Sequence, residues 1–234
     1  DLATQTLRRL GGNSAPSTLM FATFSPDGSR VAYVRENNLY VQELSRMRVK
    51  ALTTDGSPTR INGTSDWVNE EELDIRNGFR WSPDGRFLAF WQFDLTGVRQ
   101  FHLLDNTADK YPRITSFPYP KVGETNSATR VGVVAASGGR VRWLQIPGDP
   151  REHYLPHLEW TPDGAHLLLQ QFNRLQNTNL VMLASPKNGA TRVALRETDA
   201  AWVDNLNPFR WTDREGGFVW LSERDGWRHA YRGD

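Results

Sequence analysis

The chain has 234 residues, with 28 basic and 27 acidic side chains and a formal net charge of +1, a balance that gives no support to nucleic acid or an anionic membrane as partner, since either requires a concentrated basic surface. It contains no cysteine, so disulfides, thiolate nucleophiles and cysteine-based metal sites are excluded as well. No apolar run approaches the roughly eighteen residues of a membrane span, no signal-peptide pattern is visible, and 13 Pro with 19 Gly spread along the chain argue against long helices.

The first recognisable unit is Phe24-Ser25-Pro26-Asp27-Gly28, followed by the apolar run Val31–Val34 and, after the Asn37-Asn38 turn, by Leu39-Tyr40-Val41. The aromatic residue closes one strand. Pro presets φ at the first turn position, and Asp-Gly tolerates the positive φ of a tight reversal, so the next strand returns antiparallel. The Arg8-Arg9 pair ahead of this unit reads as solvated loop charge, as do Arg140 and Arg142 further on.

From Asn62 to Asn77 the strand pattern lapses into NGTSDWVNEEELDIRN. Glu70, Glu71, Glu72 and Asp74 fall within five positions. Asp66 is a candidate helix N-cap, Trp67 a first buried residue, and the acids follow where a helix dipole tolerates them, so a short helix over about residues 66–74 is expected. By charge alone the run is a solvated acidic turn. Two features pull the other way. The segment interrupts a repeat, and insertions on repeat folds build binding faces; Trp67 and Leu73 would also anchor it. Asn62-Gly63-Thr64 matches a glycosylation sequon, a pattern short enough to arise by chance.

The turn unit returns as Trp81-Ser82-Pro83-Asp84-Gly85 and as Trp160-Thr161-Pro162-Asp163-Gly164, and in degraded form as Trp211-Thr212-Asp213 with Gly216-Gly217. Apolar runs follow each copy, at Phe87–Phe90, Leu167–Leu169 and Phe218–Leu221; Leu180–Leu183 is a third strand after the Asn177-Thr178-Asn179 turn. The copies recur at intervals of about fifty to eighty residues, a length that suits four-stranded antiparallel blades. The longest interval has room for one extra hairpin, for which Arg130–Ala135 and Val141–Gln145 are the expected strands. The fold class expected is all-β: a partial β-propeller of about four antiparallel blades with one short inserted helix. A β-sandwich with four Asp-Gly hairpins is the alternative.

The catalytic patterns sought are missing. A nucleophile elbow needs Gly-x-Ser-x-Gly, and the nearest stretch, Gly63-Thr64-Ser65-Asp66-Trp67, lacks the closing glycine. His102, His153, His157, His166 and His229 have no triad context and no ligand spacing, so neither a metal nor any other cofactor is expected. No phosphate-binding glycine loop is present.

DWVNEEE resembles the double-glutamate motif of the dipeptidyl peptidase IV family of serine exopeptidases. Phe117-Pro118-Tyr119-Pro120-Lys121-Val122-Gly123, Asn173-Arg174-Leu175-Gln176-Asn177 and Asp225-Gly226-Trp227-Arg228-His229 are similar to further segments of that family, in the family's order. The resemblance implies that residues 1–234 are part of the family's N-terminal β-propeller. It also implies that Glu71 and Glu72 grip the free N-terminus of a peptide substrate, supported by Asp66, Trp67 and Glu70. Such a grip is chemically sound. A peptide α-amine with a pKa near 8 is largely protonated at neutral pH, and paired carboxylates form charge-assisted hydrogen bonds with it. In the segment after Trp202-Val203 the family's Phe-Arg pair, which lines the extended substrate pocket, is replaced by Leu206-Asn207; Asn207, Phe209 and Arg210 are the candidates there. The family's carbonyl-binding Arg ahead of the first blade has no matched counterpart in Arg8 or Arg9.

The same resemblance implies that a C-terminal α/β-hydrolase domain carrying Ser, Asp and His is missing from this chain, which is then a fragment, inactive alone, of an enzyme removing Xaa-Pro or Xaa-Ala dipeptides. It admits a homodimer and points to a periplasmic or secreted setting. Two other readings stay open: a non-catalytic propeller that binds proteins, and the propeller of an endo-acting prolyl oligopeptidase relative. The acidic segment argues against the latter, because an internal peptide has no free amine.

Overall fold

In the computed structural model, residues 3–204, 209–212 and 217–233 are described. They form antiparallel sheets with one short helix. The first sheet is a meander of β1 (Met20–Phe24), β2 (Arg30–Arg35), β3 (Asn38–Glu43) and β4 (Arg48–Ala51). Between β1 and β2 the turn is a hydrogen-bonded cassette. Ser25 Oγ donates to Asp27 Oδ1 at 2.6 Å, Asp27 Oδ1 also accepts from the Ser29 N–H at 3.1 Å, and Arg30 N donates back to Ser25 Oγ at 3.0 Å. Gly28 takes φ +70, a left-handed conformation that favours glycine. Ser82 with Asp84 and Thr161 with Asp163 repeat the same bonds at the two later copies.

The second sheet departs from the expected order. Its first strand is split into β5 (Arg60–Asn62) and β6 (Phe79–Trp81), with the helix α1 (Trp67–Glu71) between them. Both halves pair with the same strand, β7 (Phe87–Asp94): Asn62 lies opposite Gln92, and Phe79 opposite Phe90. Trp91 closes the gap. Its carbonyl accepts from Gly63 N and its N–H donates to Gly78 O, both at 3.0 Å. The acidic segment is therefore an excursion out of one strand of the second blade, where the sequence placed it between blades. Gly63 and Gly78 pinch its base: Gly78 N donates to Gly63 O at 2.9 Å, and a Cβ on Gly78 would sit 2.6 Å from Gly63 C. Asn62 is fully buried, and its Nδ2 donates to Asn37 O and Asp55 Oδ1, so the sequon offers no accessible amide.

The extra hairpin exists, at a different place. It is β8 (Gln100–Asp105) with β9 (Arg113–Pro118), a separate two-stranded sheet with Phe101 opposite Phe117. The strands expected to form it, β10 (Ala128–Ala135) and β11 (Arg142–Trp143), instead complete the second blade in the order β11-β10-β7. The third sheet is a meander of β12 (His153–Trp160), β13 (Leu167–Asn173), β14 (Thr178–Ala184) and β15 (Thr191–Thr198); in the fourth, β16 (Arg210–Trp211), β17 (Phe218–Ser222) and β18 (His229–Gly233) are described.

The core lies in layers between successive sheets. Val34, Leu39 and Val41 of the first pack on Phe79, Leu88 and Phe90 of the second. Trp91, Phe93, Val131 and Val133 meet Leu155, Leu158, Leu169 and Met182 of the third. Leu168 and Val181 then meet Phe209 and Trp220 of the fourth. Central strands must therefore be apolar on both faces, which is why FLAFWQFD of β7 is buried over six consecutive residues. Each fully buried Leu or Phe contributes about 1.5–3 kcal/mol. Three stacked interfaces exclude a two-sheet sandwich and define an open array of propeller blades. No helix among the described residues is long and apolar enough to cross a membrane.

Candidate functional site

Helix α1 is a single turn, too short to persist without tertiary support. Asp66 is its N-cap, as the sequence indicated: one carboxylate oxygen accepts from Asn69 N at 2.9 Å and from Asn69 Nδ2 at 2.7 Å. The other accepts from the hydroxyl of Ser127, just ahead of β10. Asp66, Asn69 and Ser127 are all buried. The ring of Trp67 lies 4.2 Å from that of Tyr119, centroid to centroid. One end of the helix is thus set into the protein, and the other points out.

The helix is shorter than expected, and this relocates its acids. Only Glu70 falls in the first turn, where the dipole favours it. Glu71 is the last helical residue and Glu72 the C-cap, with no basic residue in the last turn. Carboxylates at that end meet the negative pole of the peptide dipoles, which disfavours their charge there. Glu70 is half-buried and pairs with Arg76 at 3.9 Å. The side chains of Glu71 and Glu72 are exposed and have no hydrogen bond or ion pair among the described residues.

Glu72 lines a cleft of about 710 Å³ together with Trp67, Val68, Tyr119, Asn126, Tyr154 and Arg174. Arg174 is held by Glu152 Oε1 at 3.2 Å and by the carbonyl of Glu124. Burial pushes the Tyr154 phenol above its ordinary value, the nearby Arg174 charge opposing only in part, so Tyr154 presents a neutral hydroxyl. Asn126 is buried, its carbonyl accepting from Arg151 Nη1 at 2.6 Å, while its side-chain Oδ1 has no partner among the described residues. Tyr119, Lys121 and Arg174 stand in motifs the sequence had singled out, without a role. Tyr154, Asn126 and Ser127 carry no local signal, because they reach the site only through strand pairing and packing.

The other candidates do not join this cleft. Phe209 is a core residue, 4.5 Å from the Phe218 ring and 4.7 Å from that of Trp211, and so is not available to line a pocket. Arg210 is exposed on β16 and is not among the residues lining the cleft beside Glu72. Asn207 lies outside the described residues.

Stacked antiparallel blades with a helix thrown out of one edge strand define a partial β-propeller, and the relatives agree. The whole chain, residues 1–234, matches the family model of the dipeptidyl peptidase IV (DPP IV) N-terminal region; the chain belongs to that family. It is similar to a probable dipeptidyl peptidase 4 of Emericella nidulans, 34% identical over 231 residues that cover 91% of this chain and 30% of the relative. Its fold is similar to the crystal structure of Porphyromonas gingivalis dipeptidyl peptidase 4, with a TM-score of 0.87 and 32% identity over 92% of this chain and 31% of that one. A putative dipeptidyl aminopeptidase IV from Bacteroides ovatus gives a TM-score of 0.79 at 30% identity, over 93% of this chain and 30% of that one. The chain spans about 30% of the length of the curated relatives it matches.

Proposed function

We propose that this chain is the substrate-gripping part of the propeller of a serine dipeptidyl peptidase, and that Glu71 and Glu72 bind the protonated N-terminus of a peptide. The observation that carries this reading is the mounting of α1. Its Asp66 end is buried and clamped, while Glu71 and Glu72 leave the far end exposed and, among the described residues, unpartnered, with Glu72 at the wall of the cleft. A solvated acidic turn would not need a buried anchor. A primary ammonium offers three donors to such a pair, and a fixed distance from this grip to a nucleophile would set the length of the fragment released. Asn207 and Arg210 belong, on this reading, to the outer wall of the substrate pocket.

The nucleophile and oxyanion donors would come from a hydrolase domain beyond this chain, with Pro or Ala favoured as the second substrate residue. The chain alone would then show no peptidase activity, since an activated nucleophile and an oxyanion hole are built from several converging groups. The test is the full-length parent assayed on a Gly-Pro chromogenic substrate with a free amine and on its N-acylated form, beside the isolated chain. Turnover of the free-amine form only, by the parent only, supports the proposal. Equal turnover of both forms would indicate an endo-acting enzyme, and no turnover by the parent a binding propeller.

A further inference from the structure

We propose that Ser127 is a positioning residue for amine recognition, acting through Asp66; the inference rests on the reading of Glu71 and Glu72 given above. Three mountings hold the single turn of α1. Its base is pinched where Gly63 and Gly78 meet, its first ring packs on Tyr119, and its cap carboxylate is held by the Ser127 hydroxyl. The last joins residues 61 positions apart and ties the helix start to the strand β10, at the heart of the blade. Asp66 is 8% exposed, and Asn69 and Ser127 are each 1% exposed, so water cannot readily replace a lost donor. Without the hydroxyl, a buried carboxylate keeps only the two bonds from Asn69 and is drawn outward to water. Glu71 and Glu72 lie within two turns of Asp66 and would move with it. Ser127 makes no contact with the exposed carboxylates themselves, so its effect passes through the helix.

The decisive comparison is Ser127→Thr against Ser127→Val in the full-length enzyme. The two side chains share a shape, and only Thr keeps the hydroxyl. Ser127→Ala is measured beside them, with the melting temperature of each. Substrates are a free-amine dipeptide chromogen and its desamino counterpart, which has the same backbone without the ammonium. Ser127→Val and Ser127→Ala are expected to raise KM for the free-amine substrate about tenfold, equivalent to about 1.4 kcal/mol, with kcat within about twofold. KM for the desamino compound should not change, and Ser127→Thr should restore the wild-type value. Equal weakening of both substrates, or identical behaviour of Thr and Val, would overturn the positioning role. Glu71→Gln and Glu72→Gln separate the two levels of the inference. If they raise KM while Ser127→Val does not, only the positioning role fails; if they too leave KM unchanged, the amine reading fails with it.

Discussion

The indole N–H of Trp81 donates to the carbonyl of Thr23 at 3.1 Å, the residue immediately before the aromatic of the preceding turn unit. One blade later Trp160 Nε1 donates to Arg80 O at 3.1 Å, and Trp211 Nε1 donates to Glu159 Oε1 at 2.9 Å. The repeated aromatic is thus a rivet between blades as well as a strand end. Removing the N–H while keeping an aromatic ring, as in Trp160→Phe, leaves a part-buried carbonyl without its donor. The expected cost is about 1–3 kcal/mol, read as a fall in the urea midpoint at unchanged slope.

The excursion that carries α1 depends on the absence of one Cβ. Gly78→Ala would place a methyl 2.6 Å from Gly63 C and Thr64 N, a backbone clash that no side-chain rotation relieves. Gly28→Ala meets nothing within 4 Å and suffers only from its φ of +70, a strain of about 1–2 kcal/mol. Gly78→Ala is expected to lower the melting temperature more than Gly28→Ala, and in the full-length enzyme to weaken free-amine substrates as well.

The turn cassettes predict a dependence of stability on acid. The Ser82 hydroxyl first, and then the Arg86 N–H, hold the Asp84 carboxyl at about 2; the Ser25 hydroxyl and the Ser29 N–H do the same for Asp27. In the unfolded chain the value is near 3.8. A depressed carboxyl favours the folded state fully above the unfolded value and loses that contribution as pH falls through the folded one. Thermal midpoints should therefore drop between about pH 4 and pH 2, and Asp84→Asn should flatten that part of the curve.

His153 acts in a higher window. It is buried between blades, its Nε2–H donating to Thr129 O at 3.1 Å and its Nδ1 accepting from Gln171 Nε2 at 2.9 Å. Burial pushes its pKa below the ordinary 6.5, the Thr129 contact opposing. The unfolded state takes up this proton first, so stability is fully present above about pH 6.5 and declines as pH falls below it. Thermal midpoints from pH 8 to pH 5 should show the decline, and His153→Gln should remove most of it.

What the sequence disclosed follows the range of the interactions involved. The cassettes are local, with every partner within five residues, so Ser25, Asp27 and Gly28 could be read directly. The Asp66 cap was legible for the same reason. The hairpin of β8 and β9 was missed because Leu103, Leu104 and Ile114 are exposed on it, leaving no alternation to mark a buried face. Two collinear half-strands around α1 could not be seen either, since only their shared partner β7 shows that Asn62 and Phe79 belong to one edge. Phe209, read as a pocket residue, is claimed by the core through contacts with Phe218 and Trp220. Ser127 is 61 residues from Asp66, beyond any local pattern.

Glu71 and Glu72, on the proposed reading, hold a substrate ammonium, and kcat/KM of the full-length enzyme decides whether they do. Glu71→Gln and Glu72→Gln keep size and hydrogen-bonding capacity and remove charge. Each is expected to lower kcat/KM for a free-amine dipeptide substrate by at least about tenfold, the scale of one charge-assisted hydrogen bond lost. Glu70→Gln, whose carboxylate is engaged by Arg76, should have a smaller effect. Unchanged kcat/KM in both the Glu71 and Glu72 variants would rule out an ammonium grip and leave the acidic turn a solvated surface.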